Sequence, residues 1–288
     1  MSRRRREDLE ERRARELERL LARGTDDHYL DPVLYDFEYG EETDDVEWYL
    51  AKVAAHAPGG PVLELGAGTG RIALPLADAG HEIIALDRMS EMLDHLVEKA
   101  EALPEASREK LEPLLGDMTE LPLEAASVPM VIAPFNALMH LYDWRQLHRC
   151  FQEVFRVLEP GGTFAFDVLL PDIDWLTLAP DERHCVTRFE HPQSGEKMVY
   201  STNHTYDHAT QVCHIRIYYD RDTGKKFRPS RRPLKLVHLA HRQIFPEEIR
   251  ALLSLVGFEE PVMTGDFRSH PLDADVEAQC VVALKPRG

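Results

Sequence analysis

The sequence is poor in cysteine and in long apolar runs. Its 288 residues include four cysteines, Cys150, Cys185, Cys213 and Cys280, and no CxxC pair. That spacing argues against a zinc ribbon or a disulfide framework. Each cysteine sits among apolar or strand-like neighbours, as a small buried hydrophobe would. No stretch approaches the roughly 18 apolar residues of a membrane span. The opening Met-Ser-Arg-Arg-Arg-Arg has no apolar segment behind it, unlike a secretory leader. These lacks predict a cytoplasmic protein in a reducing setting, with no membrane partner.

Positive charge is also scarce. The chain has 34 Lys or Arg against 51 Asp or Glu, a net charge of -17. Residues 1–23 hold nine Arg against six acids, so the rest is more acidic still, with 25 basic and 45 acidic groups. Such a body repels a polyanion, and no nucleic-acid partner is expected. Between Asp26 and Glu47 there are ten acids and no Lys or Arg. At the rim of a pocket that stretch would steer in a cationic or amine substrate; on a solvated face it would do nothing specific. With 43% hydrophobic and 30% charged residues the chain can build a proper core,.

The hydrophobic pattern divides the chain. Residues 7–23 read as a helix with Leu9, Leu17, Leu20 and Leu21 on one stripe and Gly24 as its stop,. Residues 28–42 show no period, and residues 43–56 resume a helical one. Strands and helices then alternate: strand 62–65, helix 70–79, strand 82–86, helix 90–103 capped by Ser90, a strand ending at 114–115, strand 128–134, helix 144–158 and strand 162–169. Short apolar strands separated by helices predict a parallel sheet covered on both faces. Next come four β-prone runs, 183–191, 197–206, 211–221 and 234–244, separated only by turn signals, which predict an antiparallel meander. A helix over 246–255, stopped at Gly257, and strands near 260–263 and 279–284 finish the chain.

The most specific feature is Val62-Leu63-Glu64-Leu65-Gly66-Ala67-Gly68-Thr69-Gly70-Arg71. An apolar strand runs into three alternate glycines, and a helix is expected at once. Only glycine lets the backbone approach a ligand so closely at a sharp strand-to-helix turn. In a dinucleotide fingerprint the third glycine would fall one place later, where Arg71 stands, and a P-loop is excluded because no Gly-Lys-Ser/Thr follows.

This Glu-x-Gly-x-Gly-x-Gly turn resembles the first motif of the class I S-adenosylmethionine-dependent methyltransferases. Further matches follow in register: Asp87 ending the second strand, Gly116-Asp117-Met118, the fourth-motif segment Val131–Leu141, and Phe155–Gly162 leading into strand five. The resemblance covers roughly residues 28–286. It implies that S-adenosylmethionine is the cofactor. Glu64, Gly66, Gly68 and Gly70 would cradle its methionine end, Asp87 the ribose, and Asp117 with Met118 the adenine; Ala67, Arg88 and Phe135 complete the implied cofactor-binding set. The Tyr35-Asp36 and Tyr39 segment, the insertion after strand five and the Phe245-Pro246-Glu247-Glu248 helix start are similar to small-molecule members, the sugar-amine and glycine N-methyltransferase-like enzymes.

Departures narrow the reading. Ala133-Pro134-Phe135-Asn136 replaces the [DN]-P-P-[YFW] box of DNA and glutamine amide methyltransferases, and no cysteine pair suits covalent base methylation. No His, Asp and Glu cluster has metal-ligand spacing, so no metal is expected. The seven histidines between residues 184 and 241 are irregularly spaced and read as mostly solvent-facing. A sulfonium methyl is already activated, so a base is needed only if the nucleophile arrives protonated. His140 is the candidate catalytic base. Tyr35, Tyr39, Asn136, Asp167, His241 and Arg242 are the candidate substrate contacts.

The expected fold is α/β: a doubly wound, seven-stranded Rossmann-like sheet whose last strand is antiparallel, as the resemblance implies, with an antiparallel β lid inserted after strand five. The expected divisions are an N-terminal helical cap (1–57), a cofactor-binding core (58–170), the β insertion (171–244) and the end of the core (245–288). The expected function is methyl transfer to nitrogen or oxygen of a small molecule, by a monomer or a homodimer. Two alternatives stand beside it: a protein or peptide methyltransferase docking through the Arg-rich arm, and a non-catalytic S-adenosylmethionine-binding regulator.

Overall fold

The computed structural model describes residue 17, residues 19–40 and residues 43–288. Most of the expected Arg-rich helix over 7–23 lies outside them. In chain order the elements are α1 (residues 19–26), α2 (Pro32–Tyr39), α3 (Asp44–His56), β1 (Val62–Leu65), α4 (Ala73–Asp78), β2 (Ile83–Asp87), α5 (Ser90–Ala100), α6 (Glu105–Arg108) and β3 (Leu111–Leu115). Then follow β4 (Val128–Ala133), α7 (Trp144–Val157), β5 (Leu158–Leu169), α8 (Ile173–Leu176), β6 (His184–Glu190), β7 (Lys197–Asp207) and β8 (Val212–Arg221). β9 (Lys235–Arg242), α9 (Pro246–Val256), β10 (Val262–Gly265) and β11 (Ala278–Leu284) complete the chain. The described residues form two compact units: one of residues up to Leu34 with Ile173–Arg242, the other of Tyr35–Asp172 with Gln243–Gly288.

The α/β unit is built on a seven-stranded sheet of order β10-β11-β5-β4-β1-β2-β3. The five strands β3, β2, β1, β4 and β5 run parallel. β11 is antiparallel to both β5 and β10. Two apolar layers cover the sheet, one built on Phe151, Val154, Phe164, Leu253 and Phe258, the other on Tyr49, Val53, Leu76 and Leu96. α7 shows how sequence makes such a layer: Leu147, Cys150, Phe151, Val154 and Val157 form its buried stripe, and a capping box of Asp143 and Gln146 satisfies its first N–H groups,. The doubly wound α/β fold expected from the alternating pattern is what the chain adopts.

The β unit is an antiparallel sheet of order β6-β7-β8-β9. Leu34, Ile217, Tyr219, Val237 and Leu239 form its apolar cluster.

Several local expectations change. Gly24 does not stop the first helix, which continues to residue 26. A Cβ there would lie 2.5 Å from the Cβ of Ala240, so this glycine permits the close approach of helix and strand,. The aperiodic stretch holds α2, started by the Asp31-Pro32 pair: the Asp31 carboxylate accepts from the Leu34 N–H at 3.2 Å, and proline suits the first helical position,. α4 begins at Ala73, not 70, because Gly70 is left-handed with φ +82°. Ser90 is not the cap of α5; Met89 holds that position, and Ser90 instead donates to Glu91. Three cysteines are buried, but Cys185 is exposed. Of the seven histidines between residues 184 and 241 only His208 is exposed, against the expectation that most face water.

Candidate active site

The carboxyl ends of β1, β2 and β4 meet at the glycine turn. β1 is buried at all four positions, yet it carries Glu64, 2% exposed and with no hydrogen bond to its Oε2. Burial pushes the Glu64 carboxyl up to about 8, against the opposing pull of Arg71,. An acid in a fully buried strand is costly unless something uses it.

Gly66, Gly68 and Gly70 all have positive φ, at +71°, +56° and +82°. A Cβ on Gly66 would come 2.9 Å from the Cβ of Ala137, and one on Gly70 as close to Leu74 and Leu96. The turn closes on itself. Gly66 and Ala67 donate to the Leu86 carbonyl at 2.8 and 3.0 Å, Gly70 donates to Ala67 at 2.9 Å, and Gly68 donates to Asp87 at 2.8 Å. With these N–H groups engaged internally, the turn offers a ligand close approach rather than a phosphate cradle, which needs free N–H groups. That geometry separates it from a dinucleotide or P-loop site.

Asp87 ends β2, almost wholly buried. Its Oδ2 takes the Gly68 N–H and its Oδ1 takes the Met89 N–H at 2.8 Å. Burial raises its pKa, and backbone donors from Met89, Gly68 and Arg88 counter the rise. Each oxygen keeps a further lone pair for a ligand hydroxyl. Arg88, beside it, is exposed. After β3, Asp117 is exposed, and its Oδ1 takes both the N–H and the hydroxyl of Thr119, at 2.7 and 2.8 Å. Met118 packs on the core next to it.

After β4, Phe135 and Asn136 are two consecutive left-handed residues, with φ +52° and +65°. Asp167 on β5, buried with its pKa pushed up to about 6 by burial, holds the turn. It accepts the Phe135 N–H at 2.8 Å and the Tyr49 hydroxyl at 2.7 Å, both on Oδ1. The Asn136 Oδ1 accepts from the Leu169 N–H at 2.7 Å. The Phe135 ring lies between the Arg71 guanidinium, 4.3 Å from its centroid, and Tyr39 at 5.3 Å. The Tyr35 ring lies tilted against Tyr39 at 4.9 Å, and burial raises its hydroxyl pKa. His140 closes the short 3-10 helix Ala137–His140, its Nδ1 3.4 Å from the Tyr142 hydroxyl. His241 and Arg242 lie on β9 in the β unit. Burial lowers the His241 pKa to about 4, and Arg242 donates to Gln211 at 2.8 Å.

Sequence reasoning missed the residues that fix this edge. Arg71 forms a bidentate pair with Asp45 at 2.7 and 2.5 Å. Asp36 accepts from Thr69 at 2.5 Å and Lys99 at 2.7 Å, with the His95 Nε2 3.1 Å away. The displaced Arg71 of the glycine motif was a visible signal, but its partner stands 26 residues away and no spacing rule reaches it. Five of the ten acids of residues 26–47 are paired with Lys or Arg, each within its own unit: Asp27 with Arg23, Asp31 with Lys235, Asp36 with Lys99, Asp44 with Arg268 and Asp45 with Arg71. Their steering effect is correspondingly reduced.

A seven-stranded sheet with β11 antiparallel, three alternate glycines after β1 and an acid ending β2 define a Rossmann-like α/β domain. Comparisons with known proteins place it more closely. Residues 62–162 match the methyltransferase domain family. An uncharacterized methyltransferase of Mycobacterium bovis is 36% identical over 117 residues, which is 41% of this chain and 41% of that protein. The chain thus spans about two fifths of the length of that curated relative. The CcbJ methyltransferase of Streptomyces caelestis superposes with a TM-score of 0.69 at 29% identity, covering 84% of this chain and 90% of that one. CalS10 of Micromonospora echinaspora, an amino pentose methyltransferase solved with S-adenosylmethionine bound, shares the fold, with a TM-score of 0.60 at 16% identity over 88% and 96% of the two chains. Residues 62–162 thus match the methyltransferase domain family, and the α/β unit shares the fold of the solved methyltransferases.

Proposed function

We propose that the chain transfers the methyl group of S-adenosylmethionine to a nitrogen or oxygen of a small molecule. One observation carries the reading: the self-closed glycine turn lies between the unpartnered Glu64 oxygen and the Asp87 carboxylate. The residues present fit the cofactor. Gly66 and Gly70 leave room that a Cβ would fill, and Glu64 lacks a donor that an ammonium group would supply. Asp87 would take the ribose hydroxyls on its remaining lone pairs, and Asp117 with Met118 would hold the adenine. When bound, the cofactor supplies a methyl group already activated on a sulfonium.

The chain's own contribution is then position and exclusion of water. Asp167 and Asn136 hold the Phe135 turn in its left-handed geometry, and Arg71 and Tyr39 fix the Phe135 ring, which would line the methyl-donor end of the site. Asp167 spends its hydrogen bonds on Tyr49 and Phe135, so it acts through the turn rather than as the base. His140 takes the proton where the acceptor arrives protonated, with the Tyr142 hydroxyl at its Nδ1. Tyr35 and Tyr39 face the acceptor. The names of the structural neighbours favour an amine on a modest molecule such as an amino sugar. Among the described residues no helix is long and apolar enough to cross a membrane. The four free thiols fit work in a reducing cytoplasm,.

A screen of metabolite extracts with isotopically labelled donor tests the proposal. Label should appear in a low-molecular-weight product, and His140→Ala should slow its formation more than it weakens donor binding. Label confined to macromolecules, or absent while the donor binds, would refute small-molecule transfer.

A further inference from the structure

The β unit carries a feature that methyl transfer does not use. Residues 221–235 hold seven Lys or Arg and a single acid, Asp222, in a protein of net charge -17. This loop between β8 and β9 closes over a cavity of 620 Å³, walled by Val199 and Asp220 from the strands and by Lys225, Lys226, Phe227 and Arg228 from the loop. Arg221 is engaged with Glu196 at 2.7 Å, and Lys235 with Asp31 at 2.6 Å. Lys225, Lys226, Arg228 and the neighbouring Arg232 are exposed and form no ion pair among the described residues.

The cavity also has an unmet acceptor. Asp220 is 3% exposed, and neither of its oxygens makes a hydrogen bond. The Arg183 guanidinium stands 3.7 Å away, and the Ser230 backbone N–H faces it from the loop. A buried carboxylate without donors is expensive, and such groups are nearly always met by a donor. Exposed cations at the rim and an acceptor in the wall thus ask for a ligand with both an anion and a hydroxyl.

We propose that this cavity binds a small phosphate-bearing polyol. The phosphate lies among Lys225, Lys226, Arg228 and Arg232, and a hydroxyl of the same molecule donates to Asp220. A dianion matches several unpaired cations better than a carboxylate does. Phe227 supplies an apolar wall, and the buried acid disfavours a polynucleotide. The assignment is independent of the methyl-transfer proposal.

Titration of the full chain at low salt with ribose 5-phosphate, inorganic phosphate and ribose tests it. Ribose 5-phosphate should bind saturably and several-fold more tightly than inorganic phosphate, ribose alone should not bind, and affinity should fall as salt rises. The exposed double variant Lys226→Gln/Arg228→Gln should lose about tenfold in affinity with an unchanged amide spectrum. Asp220→Ala should bring ribose 5-phosphate down to the level of inorganic phosphate. Three results would each overturn the proposal: no saturable binding up to roughly 10 mM, equal affinity for the two phosphates, or wild-type binding by the double variant.

Discussion

Asp220 apart, the two units bury ionisable groups of opposite kinds. In the α/β unit they are acids at strand ends: Glu64, Asp87 and Asp167, each with its pKa raised by burial. In the β unit they are histidines, with His28 pushed down to about 3 and His241 to about 4, and His204, His214 and His238 also lowered. Glu64 and Asp87 converge on the glycine turn, and Asp167 holds the Phe135 turn. The histidines are spread along strands as neutral packing groups; His204, for example, stacks on Trp175 at 3.9 Å and bonds its backbone carbonyl. Burial alone therefore does not mark a site. Convergence on one turn does.

The difference gives the units opposite responses to pH. A neutral buried histidine binds a proton less readily folded than unfolded, so its stability contribution is complete above the ordinary histidine range and is lost as pH falls toward the folded value. For His28 and His241 the window runs from about 6.5 down to about 3 and 4. Hydrogen exchange at pH 4.5, corrected for intrinsic rates, should show β6–β9 losing protection while β1, β4 and β5 keep theirs. Uniform loss would erase the contrast.

Next in size is the buried pair that anchors the Phe135 edge. Asp45→Ala leaves the Arg71 guanidinium largely buried without its partner, and should cost about 3–5 kcal/mol in denaturant unfolding. A loss below about 1 kcal/mol would place the pair among ordinary surface bridges. Asp87→Ala should weaken S-adenosylmethionine binding by about 1–3 kcal/mol in calorimetry, through the lost ribose acceptor and the freed Gly68 N–H. Unchanged affinity would remove Asp87 from the site.

The smallest effect is the most specific. Glu64 has its pKa raised from 4.5 to about 8, so the folded state holds its proton longer than the unfolded state and stability falls as pH rises between those values,. Glu64→Gln should flatten the stability profile from pH 6 to pH 8, where Asp167 has already titrated. A variant that keeps the wild-type slope would mean that Glu64 is ionised in the fold.

Much of the α/β unit was legible in the sequence, because parallel strands buried on both faces read as apolar runs and the glycine turn must be glycine. The site's supports were not. Arg71 meets Asp45, Tyr49 meets Asp167, and Asp36 meets Thr69, Lys99 and His95 only after the chain has folded back. α2 was overlooked because its apolar spacing is weak, although Asp31-Pro32 announced it. The β unit yielded its strand runs and meander, but not its polarity: alternation along a strand says which residues share a face, not which face water reaches, and so its histidines were placed in solvent.

The central claim is that the turn after Leu65 holds a sulfonium nucleoside. A crystal structure of the chain soaked with S-adenosylhomocysteine tests it most directly. Density should run along Gly66–Gly70, with the ribose on Asp87 and the adenine beside Asp117 and Met118. Density elsewhere, or a nicotinamide dinucleotide displacing the nucleoside from that turn, would contradict the account.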